Sequence, residues 1–343
     1  MLLVLVGQQV AAQTIRIATY NAQLSAQGPG LMLQGLQRAD AASTVAVVQV
    51  IKAVDADILL ITNIDYDARG EALDALAQLL DNAGISYPYR LALRPNTGIA
   101  SGLDLDSNGR FGESRDALGY GQFAGQGGIA MLSRLPIQLD GLRNLNDLKW
   151  ISLAGNHAPP DTPASLPLST TGHWMVPVQM PDGSVLTVLA YYATPPVFDG
   201  PEDRNGRRNQ DETALWSWLL AGQLAEPPPK PPFVIIGQSN LDPVDGEGRR
   251  EAIRALIANP ALQDPAPKGT AARQDVGQQG DASLDTALYD KIGGLRVEVI
   301  LPSADLKVSG AGVLWPPDDE DFAETLKTAS RHHPLWVEIT PPP

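Results

Sequence analysis

The sequence predicts an α/β fold of layered sheets flanked by helices, and three observations carry that prediction. Strand-like runs recur along the whole length of the chain. Segments with helical hydrophobic period lie between several of them. No break in composition divides the 343 residues, so residues 14–343 read as a single domain.

The strand candidates, in order, are TIRIATYN (14–21), DILLIT (57–62), GGIAMLS (127–133), WMVPVQM (174–180), SVLTVLAYY (184–192), FVIIG (233–237), LRVEVILP (295–302) and PLWVEIT (334–340). Each is apolar and rich in β-branched residues or alternates with period two. Leu73, Leu76, Leu79 and Leu80 fall on one face of a helix over 71–80. GRRNQDETALWSWLLAGQL (206–224) reads as a second helix, with Asp211 and Glu212 suited to its first turn. EGRREAIRALIAN (247–259) reads as a third. The proline-rich AEPPPKPP (225–232) is a stiff loop between helix and strand, and the long irregular stretches are 95–126 and 264–292.

An apolar fraction of 43% and a charged fraction of 19% are those of a globular protein whose core needs no covalent or metal staple. With no cysteine, disulfides, thiolate zinc sites and cysteine nucleophiles are excluded. A net charge of −14 repels phosphate overall and argues against nucleic acid as a partner. Arg207, Arg208, Arg249 and Arg250 come in pairs, either as a local basic patch or as surface arginines at helix starts. The first 13 residues, MLLVLVGQQVAAQ, read either as a truncated export signal, which places the protein in the periplasm or outside the cell, or as an apolar tail. No other stretch approaches the ~20 apolar residues of a membrane span. A monomer is expected.

The stretch PPFVIIGQSNLDPVDG (231–246) points to a site. An apolar strand ends at Gly237, and a turn bearing Gln238, Asn240 and Asp242 follows. Polar side chains at the carboxyl end of a buried strand mark a site in α/β proteins.

The order of blocks IATYN, DADILLITNIDYD, GQGGIAMLSRLPI, TTGHWMVPV, ATPPVFDGPEDRNGRRN, GQSNLDPVDG, LRVEVILPS and SRHHPLWVEI resembles the endonuclease/exonuclease/phosphatase superfamily, most closely its exported bacterial branch. The resemblance runs from about Ile15 to Ile339. It implies a four-layered α/β sandwich, two mixed sheets face to face with outer helices, and an active site at one edge of the sheets. It also implies phosphoester hydrolysis by a water activated on one or two Mg²⁺ ions, held by carboxylates.

Set against that pattern, the family Glu falls on Asn63, the Asp of Gly-Asp-x-Asn on Gln238, the Asp of Ser-Asp-His on Arg331, and the mid-chain His on Tyr192. The family's Asp near the C-terminus falls on Glu298. Asn21, Asn240, Ser330 and His332 are retained. The local charge shifts by about +4 relative to the pattern, so the site should repel Mg²⁺. Tyrosine, with a reference pKa near ~10, is no neutral-pH proton shuttle. The implied protein is a pseudoenzyme, a binding module for a small anionic ligand or a protein partner, with Arg331, His332, Asn240 and Arg204 as ligand-binding candidates. The alternative is a divergent phosphoesterase with a rearranged metal set, Glu298 with Asp65 or Asp242. A one-residue slip at Asn63 would bring Asp65 or Asp67 forward instead, and His333 is a second histidine candidate.

GLDLDSNGRFGESRD (102–116) sets Asp104, Asp106, Asn108 and Gly109 in the order of a calcium loop, with Glu113 or Asp116 for the absent twelfth ligand. The other reading is an acidic, solvated turn. Arg204, Arg207 and Arg208 either meet an anion or pair with Glu202, Asp203 and Asp211. His173 and Trp174 read as packing residues.

Overall fold

The computed structural model describes residues 14–271, 273 and 275–340, so the reading of residues 1–13 falls outside the described residues. The strands are β1 (Ile15–Leu24), β2 (Ile58–Ile64), β3 (Tyr89–Leu91), β4 (Gly128–Ser133), β5 (Arg143–Asn144), β6 (Gly172–Gln179) and β7 (Val185–Tyr192). They continue with β8 (Phe233–Gln238), β9 (Ala287–Tyr289), β10 (Gly293–Leu295), β11 (Glu298–Pro302), β12 (Lys307–Val313) and β13 (Leu335–Thr340). The helices are α1 (Leu31–Arg38), α2 (Ala42–Val54), α3 (Glu71–Asn82), α4 (Arg204–Leu220), α5 (Glu251–Ile257) and α6 (Asp321–Ala329).

Two mixed sheets form, in the orders β12-β13-β1-β2-β4-β3 and β11-β8-β7-β6-β5. In the first, β1 runs parallel to β2 and antiparallel to β13. In the second, β7 and β8 are parallel while β11 and β6 flank them antiparallel.

The two-residue period of each strand decides what it buries. On β1, Ile15 and Ile17 face the second sheet, whereas Ala18, Tyr20 and Ala22 pack with Val50 of α2 and Leu76 of α3. On β8, Val234 and Ile236 enter the space between the sheets, and Phe233 and Ile235 meet Leu215 and Trp216 of α4. Helices thus cover both outer faces, giving four layers. Strands buried on both sides read as continuous apolar runs, which is why the sequence displays them. Each fully buried Ile, Leu or Val contributes about 1.5–3 kcal/mol.

Several expectations shift. LRVEVILP is two strands, β10 ending at Leu295 and β11 starting at Glu298. Between them Arg296 donates its backbone N–H to Asp242 Oδ2 (2.6 Å), and its guanidinium is bound by Asp264. α4 starts at Arg204, so Asp211 and Glu212 lie beyond its first turn, wholly buried. Asp211 accepts from Trp150 Nε1 and the His157 backbone N–H, both at 2.6 Å. Glu212 accepts from the backbone of Thr170 (2.5 Å) and Thr194 (2.7 Å). These carboxylates tie loops to the helix. Among the described residues, no helix is long and apolar enough to cross a membrane.

Candidate functional site

The alternation that fills the space between the sheets continues to one end of it, where apolar residues give way to polar ones. Ile17, Thr19 and Asn21 succeed one another on the inner face of β1, as do Leu60 and Thr62 on β2. Across the second sheet, Tyr192, Gln238 and Glu298 are register partners on three adjacent strands. They therefore share that sheet's inner face. Parallel β1/β2 and β7/β8 both reach this end by their carboxyl termini, and β11 and β13 by their amino termini.

Backbone geometry makes the row possible. Gly237 has φ +145°, and a Cβ there would lie 1.9 Å from Tyr191 O, so only glycine allows β8 this approach to β7. The β2–β4 register shifts between Thr62 and Ile64, which leaves Asn63 as a bulge residue at φ +57°. Asparagine tolerates that left-handed conformation better than most residues. Gln23 (φ +47°) sits at the matching irregularity of β1.

Gln238 bridges the two sheets. Its Oε1 accepts from Asn21 Nδ2 (2.7 Å) and from the Thr62 hydroxyl (3.1 Å). Its Nε2 donates to Asn240 Oδ1 (2.7 Å), and Asn240 Nδ2 donates to Ala193 O (2.8 Å). Asn21 Oδ1 accepts the Gln23 backbone N–H (3.1 Å). The Ala193 carbonyl can only accept, so it fixes the polarity of the whole relay. A carboxylate at 238 would set an acceptor against Asn240 Oδ1.

Beside this relay His332 Nδ1 donates to Glu298 Oε1 (2.6 Å), and Nε2 has no partner among the described residues. Glu298 is fully buried, and its Oε2 has no partner among the described residues. Ser330 donates to Asn21 O (2.8 Å), and the Arg331 backbone N–H donates to Gln23 Oε1 (2.9 Å), so the 330–332 segment is strapped to the end of β1. The exposed Arg331 guanidinium lies 5.8 Å from the Tyr289 ring centroid. Burial, and secondarily the Glu298 charge, push the Tyr192 hydroxyl above its ordinary range.

These groups line one cleft of about 680 Å³. Asn21, Asn63, Tyr192, Gln238 and Asn240 face it, as do Arg331 and His332, while Glu298 stands behind His332. The structure adds Gln23, the tip of the β9–β10 hairpin and an apolar wall around Pro196, Leu241 and Leu295. Only the place of Gln23, two residues past Asn21, could have flagged it in the sequence.

Other candidates lie elsewhere. Arg204 does not line the cleft: it donates to Leu105 O (2.7 Å) and Asp161 Oδ2 (3.1 Å). Arg207 donates to Glu202 O, and buried Arg208 donates to the carbonyls of Leu118, Pro167 and Leu168. Asp65 accepts the backbone N–H groups of Ala26 and Gly127, both at 2.9 Å. Asp67 caps α3 through Glu71 and Ala72. Asp242 does border the cleft, but its carboxylate is held by the N–H groups of Val244, Asp245 and Arg296. His333 stacks on Trp315 at 3.7 Å. His173 is buried, between Ser169 Oγ and Glu212 O. In the 102–116 loop Asp104 and Asp106 converge with Asp116, while Asn108 Nδ2 donates to Asp106 and Glu113. Asp116 already accepts the N–H groups of Leu105 and Glu113.

The family model described as Endonuclease/Exonuclease/phosphatase family matches residues 18–332. The chain belongs to that family. No curated protein matches it by sequence. Among solved structures it is similar to an endonuclease/exonuclease/phosphatase from Beutenbergia cavernae, with 15% identity over 96% of this chain and 72% of the other, at TM-score 0.57. A family protein from Leptotrichia buccalis shares 13% identity over 95% and 99%, at TM-score 0.53. The human Nocturnin catalytic domain, solved with a bound sulfate anion, shares 14% over 95% and 94%, at TM-score 0.50.

Proposed function

We propose that this chain is a pseudoenzyme of its family: a metal-free binding module whose cleft takes an anionic ligand at Arg331. One observation carries the reading. The amide relay Asn21–Gln238–Asn240 closes the cleft floor with neutral hydrogen bonds, at the position where the family pattern calls for a carboxylate. A hard divalent cation needs negatively charged oxygens. Gln238 Oε1 already accepts two hydrogen bonds, and its register neighbour Glu298 holds His332 through Oε1, so a single buried carboxylate oxygen, Glu298 Oε2, is left over among the described residues. This donor set does not fit Mg²⁺. Asp65 and Asp242, nominated beside Glu298 for a rearranged set, are taken by backbone N–H groups, as is Asp67, the residue a slip at Asn63 would bring forward. Arg331, with no anionic partner among the described residues, supplies the positive charge an anion needs.

The alternative, a divergent metal-dependent phosphoesterase, draws on the intact His332–Glu298 pair. One assay separates the two: hydrolysis of a bis-aryl phosphate with Mg²⁺, Mn²⁺ and Ca²⁺ in turn, beside phosphate titration in chelator. The proposal expects no turnover, phosphate binding without metal, and loss of that binding in Arg331→Ala. Turnover by the wild type with any of these ions overturns it, and so does equal phosphate affinity in wild type and Arg331→Ala.

A further inference from the structure

We infer that this cleft receives the carboxyl-terminal end of a partner polypeptide, with the α-carboxylate on Arg331 and an apolar side chain near the chain end against Phe198. The inference deepens the anion-binding reading above and rests on it for the carboxylate.

Phe198 is the first observation. It lines the cleft with 83% of its surface exposed, and its backbone has φ +73°. That left-handed conformation is an outlier for a bulky residue, and an exposed ring gains no packing that would offset it. The free chain therefore derives nothing from an aromatic side chain here, whereas a ligand in the cleft would cover it. Ile292, at the tip of the β9–β10 hairpin, is a second exposed apolar residue on the lining.

The floor supplies the complementary polar chemistry. A carboxamide carries an N–H donor beside a C=O acceptor, the same pair that a peptide group carries. Gln23, Asn63 and Asn240 line the cleft and are accessible to solvent. Gln23 Oε1 holds the Ser330 hydroxyl and the Arg331 backbone N–H, which leaves its Nε2 donors over. Asn240 Nδ2 commits one donor to Ala193 O and keeps the other. Polar groups flanked by apolar residues match a peptide, which is polar along its backbone and apolar at its side chains.

Charge selects the kind of anion and of partner. Three Lys or Arg side chains on the lining are set against four carboxylates, which repel a dianionic phosphate more than a singly charged carboxylate. A carboxylate also fits a guanidinium through two parallel hydrogen bonds. Glu247 and Asp290 on the lining are exposed, and the chain has a net charge of −14, so the partner is basic upstream of its end. The same charge disfavours an anionic lipid surface as the cover for Phe198 and Ile292.

Calorimetric titration of the whole chain in chelator tests the inference, with acetyl-Lys-Ala-Ala-Leu, its carboxyl-terminal amide, acetate, inorganic phosphate and adenosine 5′-monophosphate. Flotation with vesicles of phosphatidylcholine and phosphatidylserine accompanies it. The peptide acid should bind about tenfold tighter than its own amide, acetate, phosphate or the nucleotide. Phe198→Gly keeps a residue suited to φ +73°, so it should weaken the peptide about tenfold without lowering the thermal unfolding temperature. Arg331→Ala should weaken peptide and phosphate alike. The peptide is overturned by equal affinity for acid and amide, by undiminished affinity or a lowered unfolding temperature in Phe198→Gly, or by tighter binding of the nucleotide. Vesicle binding that Phe198→Gly abolishes overturns it in favour of a lipid surface. Phosphate binding with silence toward the peptide overturns the peptide and leaves the anion reading standing. Silence toward both, with the fold intact by thermal unfolding, overturns both.

Discussion

Replacing Gln238 with glutamate changes one nitrogen to oxygen and little else in shape, so it isolates the polarity of the relay. In the wild type Gln238 is 2% exposed, with Oε1 fixed by Asn21 and Thr62 and Nε2 donating to Asn240 Oδ1. In Gln238→Glu the first two bonds persist, but a carboxylate oxygen then faces Asn240 Oδ1. Asn240 cannot relieve this by turning over, because its nitrogen is held by Ala193 O. One buried hydrogen bond is lost and two acceptors are opposed, a cost of about 1–3 kcal/mol. Protonating the new carboxyl restores the donor, so its folded pKa lies above the unfolded value of about 4.3. The folded state then binds the proton more tightly than the unfolded state. The penalty is therefore absent below about pH 4 and grows as pH rises toward neutrality. Urea unfolding of wild type and variant from pH 4 to pH 8 measures the difference directly. A difference independent of pH would refute the relay's polarity. Stabilisation of the wild type itself at neutral pH by millimolar Mg²⁺ would refute the reasoning that the amide-bearing donor set rejects the ion.

Two further expectations rest on other observations. Gly237→Ala sets a Cβ against Tyr191 O and should destabilise the chain by about 1–3 kcal/mol or more, read by thermal unfolding, with phosphate binding weakened because Gln238 moves. His173 is held neutral, its pKa drawn down to about 4 by burial. Its folded pKa lies below the unfolded 6.5, so stability is lost as pH falls from 6.5 to about 4, by up to about 3 kcal/mol. His173→Phe should flatten that slope in urea unfolding, and an unchanged slope would assign it elsewhere.

The legibility of the fold varied with what each segment buries. FVIIG and SVLTVLAYY were readable because a strand covered on both faces has little room for polar residues. α2 was not. Its sequence ASTVAVVQVIKAV is dense in β-branched residues, which favour strands by propensity. It is a helix because Val47, Val50, Ile51 and Val54 pack onto the first sheet beside α6, and tertiary burial outweighs a weak local preference. The β9–β10 hairpin was hidden because its strands are three residues each, too short for any period to show.

The sequence by itself determined the order of the long buried strands and the family, since each of these is a local pattern along the chain. Tertiary structure alone decided how those residues meet. Asn21, Thr62, Gln238 and Glu298 are far apart in sequence and become neighbours only when the sheets stack and set their inner faces together. That Arg204 lies off the cleft, and that Asp65 and Asp242 accept backbone N–H groups, was likewise invisible in sequence, because such partners come from distant segments that only the fold brings near.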